Sequence, residues 1–338
     1  MAEVLLPIRH PNCDFFTCDI FDCIPGFRDD RASMEHPVFS LSTKPDRREL
    51  YYEHNGNSIT IKPSGDGLAT IHDKDILLYV VSYLHAAMKE GREINQRVRL
   101  TALDMLVSTN RATGGIEYKR LEDGLNRLAG TRILTNIKTN DLIITKNFSL
   151  IDEWEAVRRN GFDGRLMALE IKLSDWFYNS LMANELLGIN RDYFRLRKPL
   201  ERRLYEIGRK HCGNQLEFTI GLDKLKKKTG SRSPDKKFKF LLKKIIETNR
   251  KDKHFPDYTL ALNDNVLVFK NRRKKKQADT PPTPPLAAWA IERAKEAAPR
   301  YDIYGLEREW RDWIKDKPAP EKGYEAAFIG FCKQKERL

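Results

Sequence analysis

The chain has 338 residues, with 61 Lys and Arg against 48 Asp and Glu, and 40% of its residues are hydrophobic. This length suffices for two domains, and the apolar fraction is too high for a wholly disordered chain. The formal net charge is +13, and segment 191–276, with 27 basic and 10 acidic residues, carries all of that excess, which favours a polyanionic partner over an evenly charged surface.

The sequence also bears on the cellular compartment. It contains no uncharged apolar run of about 18 residues, so we expect no membrane-spanning helix and no membrane partner. The first residues offer only a brief apolar stretch, which argues against a secretory signal. Five cysteines is an odd count, and Cys212 and Cys332 stand far from the others, which suits a reducing cytosol. We therefore predict a cytoplasmic protein.

The predicted elements begin after a segment with little periodicity. Residues 1–35 are predicted to form an extended arm. The runs VFSLS, RRELYYEH and NSITIKP then predict short strands, with an Asn-Gly hairpin turn at 55–56. Asp73, as an N-cap before apolar residues at helical spacing, predicts the start of a helix.

Two units with the same order of elements follow. In the first, the strand RVRLT precedes helices at 102–108 and 116–128, and the strands TRILTNI and DLIITKN follow them. The second unit contains the strand RLMALEIKL, a helix after Ser174, a helix from Pro199, the strand QLEFTI, a helix at 222–228, a helix from Ser233-Pro234, and the strands YTLAL and VLVFK. At an offset of 120, Phe238, Leu241 and Ile245 fall on Tyr118, Leu121 and Leu125.

This repeated order predicts the fold. A helix, a turn and a second helix followed by a two-stranded wing is the winged-helix arrangement. We therefore predict an α+β protein with two tandem winged-helix domains, an N-terminal β-rich extension and a small helical C-terminal region. The predicted boundaries are an N-terminal arm at 1–35, a first domain at 36–150, a second at 151–273, a basic and proline-rich linker at 274–285, and the helical region at 286–338.

The helix after Ser233-Pro234 is the best candidate for contact with DNA, because its face opposite the apolar stripe is cationic. Phe240 lies within that face, where it can contact a thymine methyl or pack against another part of the chain. A lysine-rich face is often only solvated, but the neighbouring basic residues favour DNA. The predicted contacts that recognise the site are Arg232, Ser233, Lys236, Lys237, Lys239, Phe240, Lys243 and Lys244. The predicted phosphate anchors are Arg202, Arg203, Lys226, Lys227, Lys228 and the run 272–276, which includes Arg272, Arg273 and Lys274.

The first unit is a weaker candidate for contact with DNA. Residues 71–150 sum to only +3, so we expect fewer contacts there, and a dimer or interdomain role is nearly as well supported. The predicted contacts in this unit are Arg111, Thr113, Lys119, Arg120 and Arg127.

Catalytic and metal-binding patterns are weak. There is no P-loop and no His-hydrophobic-His pair, so we predict a non-enzymatic protein with no cofactor. Cys13, Cys18 and Cys23 lack the C-x2-C spacing of common zinc sites, so no metal is predicted. Asp73 and Asp75 keep one alternative open, a metal-dependent nuclease or nucleotidyltransferase, although acidic residues also commonly open a helix.

Several long stretches resemble a known family. They are SMEHPVFSLSTKPD, GLATIHDKDILLYVVS, RATGGIEYKRLEDGLNRLAGTRILTNI, DYFRLRKPLERRLYEIGRKHCG and TGSRSPDKKFKFLLKKI. Over about 33–273, and more loosely at LEREWRDWI and AAFIGFCK, the chain resembles the plasmid replication initiator protein A family of bacteria.

The resemblance implies tandem winged-helix domains that bind direct repeats in double-stranded origin DNA and help to open adjacent AT-rich DNA. It also implies work with the host initiator DnaA and the replicative helicase, and repression of the chain's own promoter as a homodimer. A transcriptional repressor with no role in replication would share these domains, so the sequence leaves that alternative open.

Overall fold

The computed structural model describes residues 4–10, 27–54, 57–139, 142–158, 166–213, 215–272, 286–299, 301, 303–314, 320 and 323–336. The chain forms two compact units, Met1–Arg273 and Lys274–Leu338. The second unit starts where the sequence predicts the linker to begin.

The first winged-helix domain is preceded by short elements that pack into its core. They are β1 (Arg28–Asp30), α1 (Arg31–Glu35) and the hairpin strands β2 (Leu50–His54) and β3 (Asn57–Lys62). Phe27 and Met34 are buried, so the end of the predicted extended arm is part of the core. The predicted strand VFSLS forms only an isolated bridge, from Ser40 to Thr70. The predicted Asn-Gly turn at 55–56 lies outside the described residues.

The first domain then follows the predicted order of elements. It contains α2 (Lys74–Lys89), β4 (Arg97–Thr101), α3 (Ala102–Ser108), α4 (Gly115–Gly130) and the wing strands β5 (Arg132–Thr139) and β6 (Leu142–Ser149). The hairpin β2–β3 extends the wing into a four-stranded sheet of order β2-β3-β5-β6.

The boundary between the two domains differs from the prediction. The strands β7 (Ile151–Arg158) and β8 (Leu166–Leu173) form a sheet with β4 in the order β4-β8-β7, in which Val98 lies opposite Ile171. A division at residue 150 would therefore separate strands that share hydrogen bonds. An alternating strand such as RLMALEIKL shows which face is buried but not which strand is its partner.

The second winged-helix domain follows. Its elements are α5 (Asp175–Met182), β9 (Leu186–Gly188), a 3₁₀ turn (Arg191–Arg195), α6 (Pro199–His211), β10 (Glu217–Gly221), α7 (Leu222–Thr229), α8 (Asp235–Asp252), β11 (Tyr258–Asn263) and β12 (Val266–Asn271). β9 pairs with β1 of the arm, and the wing sheet has the order β10-β12-β11. α8 begins one residue later than predicted, because Pro234 is its N-cap and accepts the first helical hydrogen bond, from the Phe238 amide at 2.8 Å.

The predicted repeat appears in the core. Leu125 and its counterpart Ile245 are both buried, whereas each of the other two pairs has one buried member (Leu121, Phe238) and one half-buried member (Leu241, Tyr118) that packs against the same hydrophobic cluster. The described residues therefore confirm the predicted α+β fold with two tandem winged-helix domains.

The second compact unit has its own small core. It consists of α9 (Ala288–Ala297), α10 (Ile303–Ile314) and α11 (Tyr324–Glu336). Trp310 and Phe328 are fully buried, with their ring centroids 5.2 Å apart. Across the described parts of both units, no helix combines the length and the apolar composition needed to cross a membrane.

Candidate nucleic-acid interface

The turn between α7 and α8 sets the direction of α8. Gly230 ends α7 in the left-handed region, with φ at +69°. A Cβ at this position would lie 2.8 Å from Cβ of Pro37 and 3.0 Å from the Tyr52 hydroxyl. The turn thus requires glycine for its backbone conformation and for close packing on the segment that contains β2. Arg232 also donates a hydrogen bond of 3.3 Å to the Glu49 carbonyl.

The two faces of α8 have opposite character. Phe238, Leu242 and Ile245 are buried against the domain. The opposite face exposes four lysines that pair with no carboxylate of the described residues: Lys236, Lys237, Lys243 and Lys244. Phe240 lies among them with 63% of its surface exposed, so it does not pack into the core of its own domain. This face also carries the exposed Glu247, so it presents a surface with an excess of positive charge and an exposed aromatic ring.

The basic residues around α8 differ in their contacts: some form ion pairs or hydrogen bonds, and others are exposed. Lys226 pairs with Asp235, and Lys228 pairs with Glu35 of α1. Lys239 Nζ donates to Asn265 Oδ1, in the loop of the wing, at 2.8 Å. The other predicted contacts are at least partly accessible, Lys227 and Arg232 being exposed and Ser233 half-buried. A cleft of about 570 Å³ lies beside the turn, between Tyr51 and the cations Lys226, Lys227 and Arg232.

Arg202 and Arg203 are not available as phosphate anchors, so that prediction is wrong. They are 3% and 2% exposed. Arg202 pairs with Asp75 at 2.6 Å and donates to the carbonyls of Phe194 and Leu196. Arg203 pairs with Glu206 at 2.9 Å and donates to carbonyl oxygens of α7 and α1. Both side chains join the second domain to the elements that precede it.

The predicted anchor Arg272 also has a structural contact. It is half-buried and donates to Asn249 Oδ1 at 2.7 Å and to the Lys253 carbonyl at 2.8 Å. Burial lowers the pKa of its guanidinium. Arg272 thus ties the end of the wing to the end of α8. Arg273 and Lys274 lie outside the described residues.

In the first helix-turn-helix, two of the predicted cations are tied to carboxylates. Arg127 pairs with Asp73 through two hydrogen bonds of 2.7 Å, and this pair raises the pKa of Arg127. Arg111 lies 3.2 Å from Asp75. The remaining predicted contacts, Thr113, Lys119 and Arg120, are exposed, although Arg120 pairs with Glu117.

These pairs also bear on the alternative of an acidic catalytic site. Asp73 and Asp75 are 4% and 2% exposed, and arginines balance both charges. Their geometry does not leave two carboxylates free to share a metal ion. Among the residues that the structure describes, no group of three or more His, Cys, Asp or Glu side chains could hold a metal. Cys13, Cys18 and Cys23 lie outside those residues.

A buried ionic network joins α2, α6 and the N-terminal arm. Lys74 is fully buried, and its Nζ lies 2.7 Å from Asp29 and 3.1 Å from Glu206. The Tyr193 hydroxyl donates to Glu206 at 2.8 Å. Burial raises the pKa of Asp29 to about 7, although the charge of Lys74 acts in the opposite direction. This network was not predicted from the sequence, because its members are far apart in the chain.

Comparison with known proteins agrees with this architecture. The family described as Replication initiator protein A matches residues 28–260. A putative replication protein of Wigglesworthia glossinidia brevipalpis is 39% identical over 263 residues, which cover 77% of this chain and 94% of that protein.

Solved structures of RctB agree at the level of the fold. The crystal structure of domains 2 and 3 of RctB aligns with a TM-score of 0.52 and 13% identity, over 72% of this chain and 99% of that one. The Pi initiator protein in complex with iteron DNA aligns with a TM-score of 0.40 and 15% identity, over 61% of this chain and 92% of that one. The match of the family over most of the chain and the 39% identical relative lead to one conclusion: this chain belongs to the replication initiator protein A family.

Proposed function

We propose that this replication initiator binds repeated sites in the double-stranded origin of a plasmid, with α8 in the major groove and the β11–β12 wing along the backbone. The observation that carries the proposal is the face of α8 with four exposed lysines, none of which forms an ion pair with a carboxylate of the described residues, against one exposed carboxylate on that face, Glu247. Such a face gains free energy on binding because its lysines replace counterions condensed on the DNA phosphates and release them to the solvent. Lys227 and Arg232, beside the turn, extend it toward the DNA backbone.

In this proposal the chain acts through binding and catalyses no reaction. Binding at adjacent repeats would place several copies side by side and favour opening of neighbouring AT-rich DNA. The host initiator DnaA and the replicative helicase would then load at the opened segment. A homodimer would repress the chain's own promoter. These partners follow from the resemblance of the sequence to plasmid initiators.

Footprinting of the full chain on its plasmid's origin region tests the binding mode. We expect several protected sites at regular spacing, and no protection of an unrelated fragment of equal length. If about six to ten phosphates are contacted, the affinity should fall about a thousandfold or more between 50 and 200 mM salt. An affinity that does not depend on salt would contradict the proposal.

A plasmid maintenance assay separates initiation from repression. We expect a plasmid that carries the origin to replicate only in cells supplied with the protein. A single protected palindrome at the promoter, together with replication that does not require the protein, would instead identify a transcriptional repressor. Loss of Mg²⁺ should leave origin binding intact, because no catalytic metal takes part in this proposal.

A further inference from the structure

The surroundings of Phe240 on α8 are unusual for an exposed aromatic side chain. Residues three and four positions apart are neighbours on a helix surface. For Phe240 these positions are Lys236, Lys237, Lys243 and Lys244, all of them exposed. The ring is itself 63% exposed. An exposed apolar side chain therefore has four exposed lysines as its nearest neighbours along the helix surface.

This arrangement gives the ring a specific kind of partner. A single exposed apolar residue is common on protein surfaces and does not by itself indicate a partner. The position of Phe240 among lysines is what indicates one. An apolar protein surface that covered Phe240 would also desolvate the four lysines, at a large cost. The major groove of DNA instead has phosphates along its edges and, on its floor, one exposed apolar group, the C5 methyl of thymine.

The geometry of α8 also suits a groove. Phe238 and Leu242, two positions away on either side, are buried in the core and fix the rotation of the helix. Phe240 lies on the opposite side, midway between the two pairs of lysines. When the lysines lie near phosphates on both edges of the groove, the ring between them faces the floor.

We propose that Phe240 is a specificity-determining residue that reads thymine methyl groups in the recognised site. The inference rests on the proposed function, since it assumes that α8 enters the major groove of origin DNA. It adds a chemical requirement that lysine contacts alone would not impose: thymine, rather than any pyrimidine, at the position under the ring.

The experiment compares two duplexes of one footprinted site, one made with thymine and one with uracil, which lacks the C5 methyl. Burial of one methyl-sized group contributes a factor of about four in affinity, so contact with one or two methyls predicts that the wild-type chain binds uracil DNA about 4 to 15 times more weakly. Phe240→Ala should bind the thymine duplex more weakly by a similar factor and bind both duplexes nearly equally.

Two matched variants serve as controls. Lys236→Ala removes a neighbouring cation, so it should weaken binding to both duplexes and keep the wild-type ratio between them. Phe240→Leu keeps an apolar side chain and should retain most of that ratio. Both replaced positions are exposed, and the melting temperature of each of the three variants should remain within a few degrees of the wild type.

The outcomes separate this inference from the proposed function. Equal binding of the wild-type chain to thymine and uracil duplexes overturns the role of Phe240, and so does a Phe240→Ala variant that keeps the wild-type ratio. In either case, preference for the origin over unrelated DNA would leave the proposed function intact. Absence of that preference would overturn both.

Discussion

The two helix-turn-helix modules of this chain share one order of elements but use their basic residues differently. In the first module, Arg111 and Arg127 are held by Asp75 and Asp73. In the second, four lysines of α8 face solvent and pair with no carboxylate among the described residues. Similar folds thus place cations in different roles, one mainly structural and one available to a polyanion.

The difference shows that a count of basic residues does not locate a binding face. α6 contains Arg202 and Arg203, yet both are buried. Their charges are balanced by Asp75 and Glu206, so they add little to the field outside the protein. The excess charge of the second module that can attract DNA lies on α8 and around the turn before it.

Replacement of Arg202 should have the largest effect on stability. Arg202→Ala leaves the Asp75 carboxylate without its nearest buried partner, and loss of one partner of a buried pair costs about 3–5 kcal/mol. We expect a loss of this size in the free energy of unfolding, measured by denaturant titration with tryptophan fluorescence.

Arg120 is exposed, so Arg120→Ala is the matched control, and its free energy of unfolding should stay within about 0.5 kcal/mol of the wild type. If Arg202→Ala kept wild-type stability and lost affinity for DNA, Arg202 would be a phosphate contact and the contrast between the modules would be wrong.

The sequence predicts the helices well because their pattern is local. Leu121 and Leu125 on α4, like Phe238 and Ile245 on α8, recur at helical spacing and are buried as that spacing requires. The cationic face of α8 follows from the same pattern, since residues opposite a buried stripe face solvent.

The sequence does not predict the burial of α6, because that burial depends on contacts distant in the chain. Every residue of α6 from Leu200 to Gly208 is buried, so its polar residues do not mark a solvent face. Arg202 meets Asp75, which is 127 positions away in the chain. The pairing of β8 with β4 was missed for the same reason. A local pattern shows that a side chain is polar, but it does not show that a distant carboxylate neutralises it.

Removal of the four lysines of α8 should have the largest effect on binding. Each lost phosphate contact reduces the salt slope, d log K/d log [salt], by about 0.9, so replacement of Lys236, Lys237, Lys243 and Lys244 by Ala should reduce its magnitude by about 3 to 4. The affinity at about 100 mM salt should fall roughly 100- to 1,000-fold, as measured by fluorescence anisotropy on origin DNA.

The matched variant in the first module replaces Lys119 and Arg120 by Ala, and we expect less than about a tenfold loss in affinity. Because this variant removes two cations and the other removes four, an equal loss of binding free energy per replaced residue would mean that both modules contact the duplex to the same extent. Circular dichroism should show both variants folded, because the replaced side chains are exposed.

The turns that precede α4 and α8 allow a comparison in which we expect effects of intermediate magnitude on stability and binding. Gly230→Ala places a Cβ 2.8 Å from Pro37 at a residue with φ of +69°, so we expect a loss of about 1–3 kcal/mol in stability and weaker binding through displacement of α8. Gly114→Ala, in the turn of the first module, meets nothing within 4 Å and has φ of −77°. Gly114 is the N-cap of α4, where Ala is less favourable than Gly, and this cost opposes the gain from a less flexible unfolded chain, so we expect a change in stability below about 1 kcal/mol. Melting temperatures and DNA affinities of the two variants, measured in parallel, check these expectations. Equal changes in the two variants would show that the two turns do not differ in packing.

The smallest expected effect concerns the contact of the N-terminal arm with the second module. Glu35 of α1 pairs with Lys228 and lies 2.9 Å from Lys210 and 3.4 Å from His211, and these neighbours, with His211 the strongest contributor, hold its pKa well below the usual 4.5. A carboxyl with a depressed folded-state pKa contributes stability that is present above about pH 4.5 and is lost as the pH falls through the folded-state value.

Glu35→Gln should therefore lower the free energy of unfolding by about 1 kcal/mol at pH 7, since the pairs are partly exposed and solvent screens them. The difference from the wild type should shrink as the pH falls below 4.5, because protonation removes the same charge from the wild-type protein. Thermal unfolding followed from pH 7 to pH 3 measures this convergence. A gap that stays constant across this range would mean that Glu35 stabilises the arm by packing and not by its charge. The same variant removes the carboxylate that pairs with Lys228, so a gain in DNA affinity at pH 7 would show that the arm restrains a cation of the second module.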